Sequence, residues 1–375
     1  MKIKVSVVKC SDYDQEKVNQ AVKEALNLIG GIDELVRRGD KVLLVVNLLQ
    51  PKKPEEGVTT HPKVVSAVCE LLRDLGAEIW IGGSSGSATF GGTSEALKIC
   101  GIQQVAERYG ATIINCDKTE VIEINNLQNN RLKNFFIAKP ITEADLVISV
   151  PKLKSHALVK FTGAIKNFYG VIPGAGKAQG HAIANTEKRF SEFLIDIYQA
   201  VNPGLAIMDG VIGMEGDCYG GNLRQVGLIL ASTSCIALDI VASKIIGYEP
   251  WQIMYIMEAI QRGLFPNIES IEEVGVREAK VPFKHPTGFF EHLPGFLQSW
   301  VWNRVKAKPT LNIQWCKRCG VCVKACPVNA IKMSEMPIIE EDKCILCYCC
   351  HELCPESAII LKQNWLGYFI GKDWQ

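Results

Sequence analysis

The sequence predicts an α/β protein with an open, mostly parallel sheet covered by helices on both faces, followed by a small C-terminal α+β domain. Over the first 265 or so residues, short apolar segments alternate with amphipathic ones, which is typical of strand–helix units. Near the C-terminus one cysteine pattern occurs twice, which indicates a separate small domain. At 375 residues the chain is long enough for two or three domains.

The strands and helices of the large domain follow from hydrophobic periodicity. Strands are predicted at Ile3–Lys9 and Lys41–Leu49, and apolar residues recur at helical spacing between Val18 and Ile29. Pro62 suits the first turn of the next helix because the N–H it lacks has no partner there, and Gly76 ends that helix. The other predicted strands are Ala77–Ile81, Thr112–Cys116, Asp145–Val150, Leu205–Val211 and Val226–Ala231, and the other helices are Glu187–Ala200 and Cys235–Ile246.

Composition shifts predict four regions along the chain. These are an α/β domain at 1–265, a connector at 266–310, a cysteine-rich domain at 311–362 and a tail at 363–375. The connector and the tail are rich in aromatic residues, which we expect to pack the two domains together; attachment to a membrane surface is the alternative. The aromatic residues are Phe289, Phe290, Phe296, Trp300, Trp302, Trp365, Tyr368, Phe369 and Trp374.

The repeated cysteine pattern carries the most specific chemistry. Each run has the form Cys-x2-Cys-x2-Cys-x3-Cys-Pro, and the second run follows the first by 28 residues. This is the run that binds two [4Fe-4S] clusters in bacterial ferredoxins, where the fourth cysteine of each run ligates the other cluster. The predicted ligand sets are Cys316, Cys319, Cys322 and Cys354 for one cluster, and Cys344, Cys347, Cys350 and Cys326 for the other.

Zinc is the alternative occupant of these cysteines, because Cys-x2-Cys pairs also occur in zinc sites. Zinc ribbons lack the third cysteine of each run and the crossing of the fourth, so the iron–sulfur interpretation is preferred. The segment Ile313–Leu361 resembles two-cluster bacterial ferredoxins. Cys349 interrupts the second run as a ninth thiol, and we interpret it as a buried cysteine that does not bind a cluster.

Charge and composition exclude several classes of protein. The net charge of +1 argues against a general nucleic-acid binder. No signal-peptide segment precedes the first predicted strand, and the most apolar long window, 227–247, contains Asp239 and Lys244 and is therefore not predicted to span a membrane. Cluster-binding thiolates need reducing conditions, which favours a cytoplasmic location.

One stretch of the large domain has charge of a single sign. From Leu146 to Thr186 there is no Asp or Glu, but there are five lysines and two histidines. It begins where the predicted strand Asp145–Val150 ends, the edge at which open α/β sheets bind ligands, and it suits an anionic small molecule. The predicted catalytic residues are Lys154, His156, Lys166 and His181, and the predicted anion-binding residues are Lys152, Gly174, Gly176 and Lys177.

Several other residues and loops of the large domain are weaker candidates for a functional role. Asp209 lies near the end of the predicted strand Leu205–Val211, and Glu215 and Asp217 follow it. A carboxylate at such a position could be a base or a metal ligand, or only a turn residue. His61 is interpreted as a helix-start residue. The glycine loop 82–86 does not satisfy a dinucleotide-binding pattern, and 174–178 lacks the first glycine and the final Ser/Thr of a P-loop.

Several of these motifs together resemble the proteins that contain domain of unknown function 362, many of which end in a two-cluster ferredoxin domain. The resemblance covers nearly the whole chain, although Gly83 stands where the family has Asp in the first glycine loop. The motifs are Gly57-Val58-Thr59-Thr60-His61-Pro62, Lys152-x-Lys154-x-His156, Thr162-Gly163-x2-Lys166-Asn167, Pro173-Gly174, His181, Met208-Asp209-Gly210 and Glu215-Gly216.

A fainter resemblance connects one segment to nickel-pincer lactate racemases. It rests on Ala144–Ile148, His156, Thr162-Gly163-x2-Lys166, Pro173-Gly174 and His181. It implies an additional metal or organic cofactor near Lys166, with His156 and His181 around the metal. The loop 82–86, where those racemases have another histidine, contains none here.

The sequence thus leads to one main hypothesis and two alternatives. The main hypothesis is an iron–sulfur oxidoreductase that takes low-potential electrons from a partner protein and passes them through two [4Fe-4S] clusters to an anionic substrate or cofactor. The first alternative is a non-catalytic electron carrier or assembly partner whose α/β domain docks another protein. The second is a non-redox enzyme with structural clusters. The oligomeric state is left open.

Overall fold

The computed structural model describes residues 2–86, 92–125, 134–156, 158–173, 177, 180, 186–216, 221–284, 308–326, 328–346, 349–352, 354 and 356–362. The large domain is built on a ten-stranded mixed sheet. Its strands are β1 Ile3–Lys9, β2 Lys41–Val46, β3 Glu78–Gly83, β4 Thr112–Asn115, β7 Leu146–Val150, β8 Lys152–His156, β9 Lys160–Thr162, β10 Leu205–Glu215, β11 Asn222–Ser232 and β12 Ile271–Gly275.

The strands of this sheet run mostly in one direction, which confirms the predicted fold class. The order across the sheet is β12-β1-β11-β10-β7-β2-β3-β4. On this path within the described residues, β11 alone is antiparallel to its neighbours. Strands β8 and β9 form a hairpin beyond β7, and β8 pairs with the far half of β10. A second hairpin lies outside the sheet and joins β5 Val121–Asn125 to β6 Asn134–Ala138.

Helices cover both faces of the sheet because each has an apolar stripe. One core cluster contains the buried face of α2, and the other contains α8, which is apolar nearly all round. The helices of this domain are α1 Gln15–Leu28, α2 Pro62–Asp74, α3 Gly92–Ile99, α4 Ile102–Tyr109, α5 Pro140–Glu143, α6 Ala164–Asn167, α7 Glu187–Val201, α8 Cys235–Ile245 and α9 Met254–Gln261, with short 3-10 turns at Pro54–Glu56, Phe168–Val171, Pro250–Gln252 and Ile268–Ser270.

Predicted and observed boundaries differ most where polar residues continue a strand or interrupt an apolar run. The strand that begins at Lys41 ends at Val46, because Asn47 turns the chain and donates its N–H to the Thr60 hydroxyl. The strand that begins at Leu205 extends to Glu215 instead of Val211, because its second half pairs with β8 and β11. The hairpins β5–β6 and β8–β9, and the strand β12, were not predicted.

The cysteine-rich domain contains two small antiparallel sheets and two short helices. The sheets join β13 Lys308–Leu311 to β16 Ile359–Lys362, and β14 Ile331–Met333 to β15 Pro337–Ile339. The helices are α10 Val321–Ala325 and α11 Cys349–Glu352. Each sheet takes one strand from each cysteine repeat, so the two repeats fold as one unit. The aromatic residues predicted to join the two domains lie outside the described residues.

Candidate functional site

The carboxyl ends of β2, β3, β7 and β10 meet at one edge of the large sheet. These strands are parallel to one another, so the residues that follow or extend them come together. Asn47 follows β2, Ser84 follows β3, Lys152 opens β8 directly after β7, and Asp209 lies where β10 passes from β7 to β8. This edge therefore collects polar side chains from four segments that are distant in sequence.

Asp209 is the centre of the polar contacts at this edge. Its Oδ1 accepts a hydrogen bond from the Tyr13 hydroxyl at 2.8 Å, and its Oδ2 accepts from Lys152 Nζ at 2.9 Å and from the His61 backbone N–H at 2.9 Å. Lys152 Nζ also donates to the Tyr13 hydroxyl oxygen at 2.6 Å. A proton can therefore be held or shifted among three side-chain atoms within hydrogen-bond distance of one another.

The Lys152–Asp209 ion pair is completely withdrawn from solvent. The side chains are 1% and 0% exposed. Burial lowers the pKa of Lys152, and the neighbouring Asp209 carboxylate opposes that effect. Burial and the same carboxylate raise the pKa of the Tyr13 phenol. The sequence segment 146–186 has no acidic residue, but Asp209 from β10 neutralises its first lysine, so the positive charge of the segment is partly balanced in the folded protein.

His61 and Tyr13 form a stacked pair beside this ion pair. Their ring centroids are 3.6 Å apart, and the planes of the two rings are nearly parallel. His61 caps α2, as predicted from its place before Pro62, and its Nδ1 accepts from the Lys63 N–H at 3.2 Å. Burial lowers the pKa of His61 to about 4, against the effect of Asp209, so the ring is neutral near pH 7.

Lys154 and His156 lie further along β8, and both are buried. Lys154 Nζ donates to Asn47 Oδ1 at 3.1 Å and to the Val58 carbonyl at 2.7 Å. His156 Nδ1 accepts from the N–H groups of Leu158 and Val159 at 3.1 and 3.3 Å, which fixes the turn between β8 and β9. Since Nδ1 accepts, a neutral ring carries its proton on Nε2.

Lys166 is half-buried on the short helix α6, and Asp239 positions the start of that helix. Asp239 Oδ1 and Oδ2 accept from the N–H groups of Ala164 and Ile165 at 2.6 and 3.1 Å. Burial raises the pKa of Asp239 to about 7, and the two N–H groups oppose that effect. A Cβ on Gly163 would lie 2.1 Å from Asp239 Oδ1, so glycine is required for this approach.

Lys177 contacts the first glycine loop. Its Nζ donates to the carbonyls of Ser84 at 3.0 Å and Ser85 at 2.8 Å. Desolvation lowers the pKa of Lys177 to about 8, and Asp117 opposes this effect. The glycine loop 82–86, which does not satisfy a dinucleotide-binding pattern, thus anchors a lysine predicted to bind an anion.

The remaining predicted residues of the large domain divide into two groups. Glu215 is buried, lies 3.3 Å from Arg224 Nε, and accepts from the Lys284 N–H at 3.0 Å, so it serves local structure. His181, Gly174, Gly176 and Asp217 lie outside the described residues. The structure therefore brings Lys152 together with Asp209, and Lys154 with Asn47. Lys166 lies on α6 and Lys177 lies against the loop after β3, so these two lysines are on separate segments.

In the cysteine-rich domain, the first predicted ligand set lines one cavity. Cys316, Cys319 and Cys322 come from the first run, and Cys354 comes from the second. The empty volume is about 290 Å³, part of it open to solvent, and its apolar wall includes Leu311, Ala358 and Ile359. Burial and the neighbouring cysteines raise the pKa of Cys322 to about 11, so a bound cation is needed to keep this thiolate charged.

The second predicted set is described in part. Cys350 is buried and Cys326 and Cys344 are half-buried, whereas Cys347 and the side chain of Cys349 lie outside the described residues. The two runs share backbone details: the Ala330 N–H donates to Cys326 Sγ and the Ala358 N–H to Cys354 Sγ, both at 3.1 Å. Such N–H groups stabilise the thiolates that hold a cluster.

A single-ion metal site is not formed by the described side chains. No three of the described His, Cys, Asp and Glu residues converge tightly enough to hold one metal ion. The donor set around the cavity fits an iron–sulfur cluster: it has four sulfur atoms, two of which accept from backbone N–H groups, and an apolar wall.

Sequence reasoning missed Tyr13, Asn47 and Asp239. Tyr13 lies between β1 and α1, and only the topology brings it to Asp209. Asn47 was interpreted as strand, although an amide at a strand end is a turn signal that could have identified it. Asp239 was noted only as a charge in an apolar window, and its contact with α6 depends on helix packing.

Comparison with known proteins identifies two regions. The family described as Domain of unknown function (DUF362) matches residues 42–244, and the 4Fe-4S binding domain matches residues 309–332. The thylakoid-associated protein sll1697 of Synechocystis sp. is 31% identical over 290 residues, which cover 75% of this chain and 84% of that protein. None of the helices that the structure describes is both long and apolar enough to cross a membrane.

Two further similarities are shorter or weaker. A ferredoxin of Methanothermococcus thermolithotrophicus is 33% identical over 58 residues, 14% of this chain and 97% of the ferredoxin. The lactate racemase apoprotein from Thermoanaerobacterium thermosaccharolyticum superposes with a TM-score of 0.42 and 13% identity, covering 63% of this chain and 57% of the racemase, which is too distant to support an argument. From the extent of the first match and from its relative in Synechocystis, this chain belongs to the Domain of unknown function (DUF362) family and carries a 4Fe-4S binding domain.

Proposed function

We propose that this protein is an oxidoreductase that receives low-potential electrons from a partner protein and passes them through two [4Fe-4S] clusters to an anionic ligand at the edge of the α/β domain. The observation that carries the proposal is the cavity lined by Cys316, Cys319, Cys322 and Cys354, a set that only the folded repeat assembles. The clusters, when bound, would accept and release single electrons. Their thiolates need reducing conditions, so we propose that the protein works in the cytoplasm or a similarly reducing compartment.

The residues of the sheet edge define what the ligand would meet. Lys154 is a buried lysine whose Nζ donates to the Asn47 amide oxygen and to a backbone carbonyl. Lys152, Tyr13 and Asp209 hold exchangeable protons beside it. A reduced anion needs protons as well as electrons, and this group would supply one without opening the site to water.

The test is an iron, sulfide and electron count on the anaerobically purified full chain. We expect about eight irons, about eight sulfides and uptake of about two electrons from dithionite, the values for two clusters. Cys316→Ala and Cys344→Ala should each remove one cluster. Protein that holds zinc, or that takes up no electrons, would contradict the proposal.

A non-catalytic electron carrier is the second candidate function, and the charge balance of the sheet edge favours it. Lys152 is neutralised by Asp209, and Lys177 donates to two backbone carbonyls, so most of the hydrogen-bonding capacity of each ammonium group is used within the protein. In this case Lys154→Met and Lys166→Ala would leave reduction of a partner protein unchanged. A large loss with either variant would count against the carrier role. No observation favours a non-redox enzyme with structural clusters over these two.

An additional cofactor near Lys166 stays a prediction of the sequence. Intact-mass and peptide mass spectrometry of the protein purified from its native host would detect added mass on the peptide that contains Lys166. Unmodified peptide, with no metal other than iron, would remove the cofactor from the proposal.

A further inference from the structure

The edge of the first cluster-binding cavity reaches the surface of the cysteine-rich domain. Among its four lining cysteines, Cys319 is exposed, whereas Cys322 and Cys354 are buried. Electron transfer between proteins needs the two redox centres to approach closely, and an exposed ligand marks where a partner can come nearest. The residues around Cys319 therefore decide which partner fits.

Large apolar side chains surround this exposed edge. Ile313 is 66% exposed and Trp315 is 53% exposed, and they lie three residues and one residue before Cys316. Met333 is exposed as well, and its terminal methyl lies 3.6 Å from the position of a Cβ on Gly320, one residue after Cys319. Exposed aromatic and methionine side chains are enriched at protein interfaces.

The charges beside the same edge are predominantly basic and uncompensated. Lys317, Arg318 and Lys324 are exposed and form no ion pair among the described residues. Elsewhere in the domain two of the acids are neutralised, since Glu340 pairs with two lysines, Lys332 and Lys343, and Glu341 pairs with Lys308. Glu356 is the acidic side chain that lines the cavity, and Lys317 lines it as well.

We propose that Ile313, Trp315, Lys317, Arg318 and Lys324 form a docking surface around Cys319 for a small electron-carrier protein with an acidic face. The inference rests on the proposed iron–sulfur function and names its partner by charge. One electron moves from the reduced carrier to the oxidised cluster bound by the first set of cysteines. The carrier is oxidised, no bond is made or broken, and no proton moves. Complementary charge accelerates such encounters and makes them sensitive to salt.

The test measures association of the full chain with a small acidic bacterial ferredoxin by biolayer interferometry under anaerobic conditions. The wild-type association rate should fall steeply as salt is raised, because exposed charges are screened. Lys317→Glu/Lys324→Glu should weaken binding by about tenfold or more, a size typical of charge reversal at an interface. Trp315→Ala should increase the dissociation rate.

Matched controls test whether weaker binding comes from this particular surface or only from the change in net charge or the loss of an exposed apolar side chain. Lys308→Glu/Lys362→Glu changes the net charge by the same amount at exposed positions on the sheet β13–β16, and Ile338→Ala removes an exposed apolar side chain on β15. Both controls should bind the ferredoxin like the wild type. Equal weakening by control and surface variants would overturn the proposal, and so would failure of the wild type to bind.

Two further readouts distinguish the competing outcomes. Reduction by methyl viologen radical needs no docking, so all variants should be reduced at the wild-type rate. If viologen also fails to reduce the wild type, the iron–sulfur function itself fails. If viologen succeeds and the surface variants accept electrons from ferredoxin normally, only the docking surface is wrong. Loss of binding to anionic lipid vesicles with unchanged ferredoxin binding would assign the surface to a membrane instead.

Discussion

At the scale of single residues, the buried Asp209 carboxylate determines the arrangement of the sheet edge. It accepts hydrogen bonds from a phenol, an ammonium group and two backbone N–H groups, those of His61 and Val211. These donors come from three different connections of the sheet and from β10 itself. A carboxylate with so many donors stays fixed, and it fixes Tyr13 and Lys152 in turn.

Removing this carboxylate should destabilise the protein strongly. Asp209→Ala leaves Lys152 buried without a counter-charge, which typically costs about 3–5 kcal/mol in the free energy of unfolding. The measurement is urea unfolding of the anaerobic full chain followed by far-ultraviolet circular dichroism.

Two controls accompany the Asp209 variant. Asp12→Ala breaks an exposed pair with Lys17 and should change little, because exposed pairs are screened by solvent. Lys152→Met/Asp209→Leu removes both charges and should be more stable than Asp209→Ala alone. A double variant as unstable as the single one would show that the ion pair is not the cause.

Asp239 should make stability depend on pH in the neutral range. Burial raises its pKa to about 7 in the folded protein, above the 3.8 of an ordinary Asp. Between these two values the folded state binds more protons than the unfolded state, so stability falls as pH rises from about 4 to about 7 and is level above that.

The Asp239→Asn variant isolates this effect. It cannot ionise, so the stability difference between wild type and variant should shift against the wild type as pH rises through that window. Chemical unfolding at several pH values measures it. A difference that stays constant from pH 4 to 8 would contradict the raised pKa of Asp239.

At the scale of elements, the close approach of β3 and β4 depends on a glycine. A Cβ on Gly82 would lie 2.0 Å from the Ile114 carbonyl oxygen of β4, and this backbone atom cannot rotate away. The approach brings the end of β3 to the position where Ser84 and Ser85 bind Lys177.

Gly82→Ala should therefore destabilise the sheet by about 3 kcal/mol, as overpacking of a core does. Gly170→Ala is the matched control, because a Cβ there meets its nearest atom at 3.7 Å, an ordinary contact. The midpoint of thermal unfolding compares the two variants. Equal unfolding midpoints for the two variants would mean that β3 and β4 accommodate the added methyl group without loss of stability.

At the scale of the whole molecule, the two cysteine runs are interdependent. Arg318 and Leu346, at equivalent positions of the repeat, both adopt left-handed backbone conformations with φ of 55° and 54°, as do Asn329 and Ser357. Both small sheets pair a strand of one repeat with a strand of the other. A ligand from each run can therefore reach the cluster of the other.

Crossed ligation predicts a specific pattern of cluster loss. If the protein holds two clusters as proposed, Cys354→Ala and Cys316→Ala should each remove about four of about eight irons, and combining them should remove no more, because both cysteines line one cavity. Combining Cys354→Ala with Cys344→Ala should remove both clusters. Iron analysis with electron paramagnetic resonance of the reduced protein measures this. If Cys354→Ala combined with Cys344→Ala removed no more iron than either change alone, each run would bind its own cluster.

The sequence by itself determined the class of the fold and seven of the ten strands of the large sheet, and its cysteine spacing predicts the cluster ligands. Hydrophobic periodicity and cysteine spacing are local properties of the chain, so they can be identified without a structure. Other predictions of the sequence, among them roles for Lys166, Lys177 and His181, stay untested.

Only the tertiary structure decided which groups meet. The segment 146–186 looks basic along the chain, but β10 supplies Asp209 to Lys152, α8 supplies Asp239 to α6, and the loop after β3 receives Lys177. Strand order and helix packing create such contacts between residues that are far apart in sequence. Tyr13 and Asp209, for example, are 196 positions apart. The electrostatic environment of a buried group depends on such neighbours, and local sequence does not contain them.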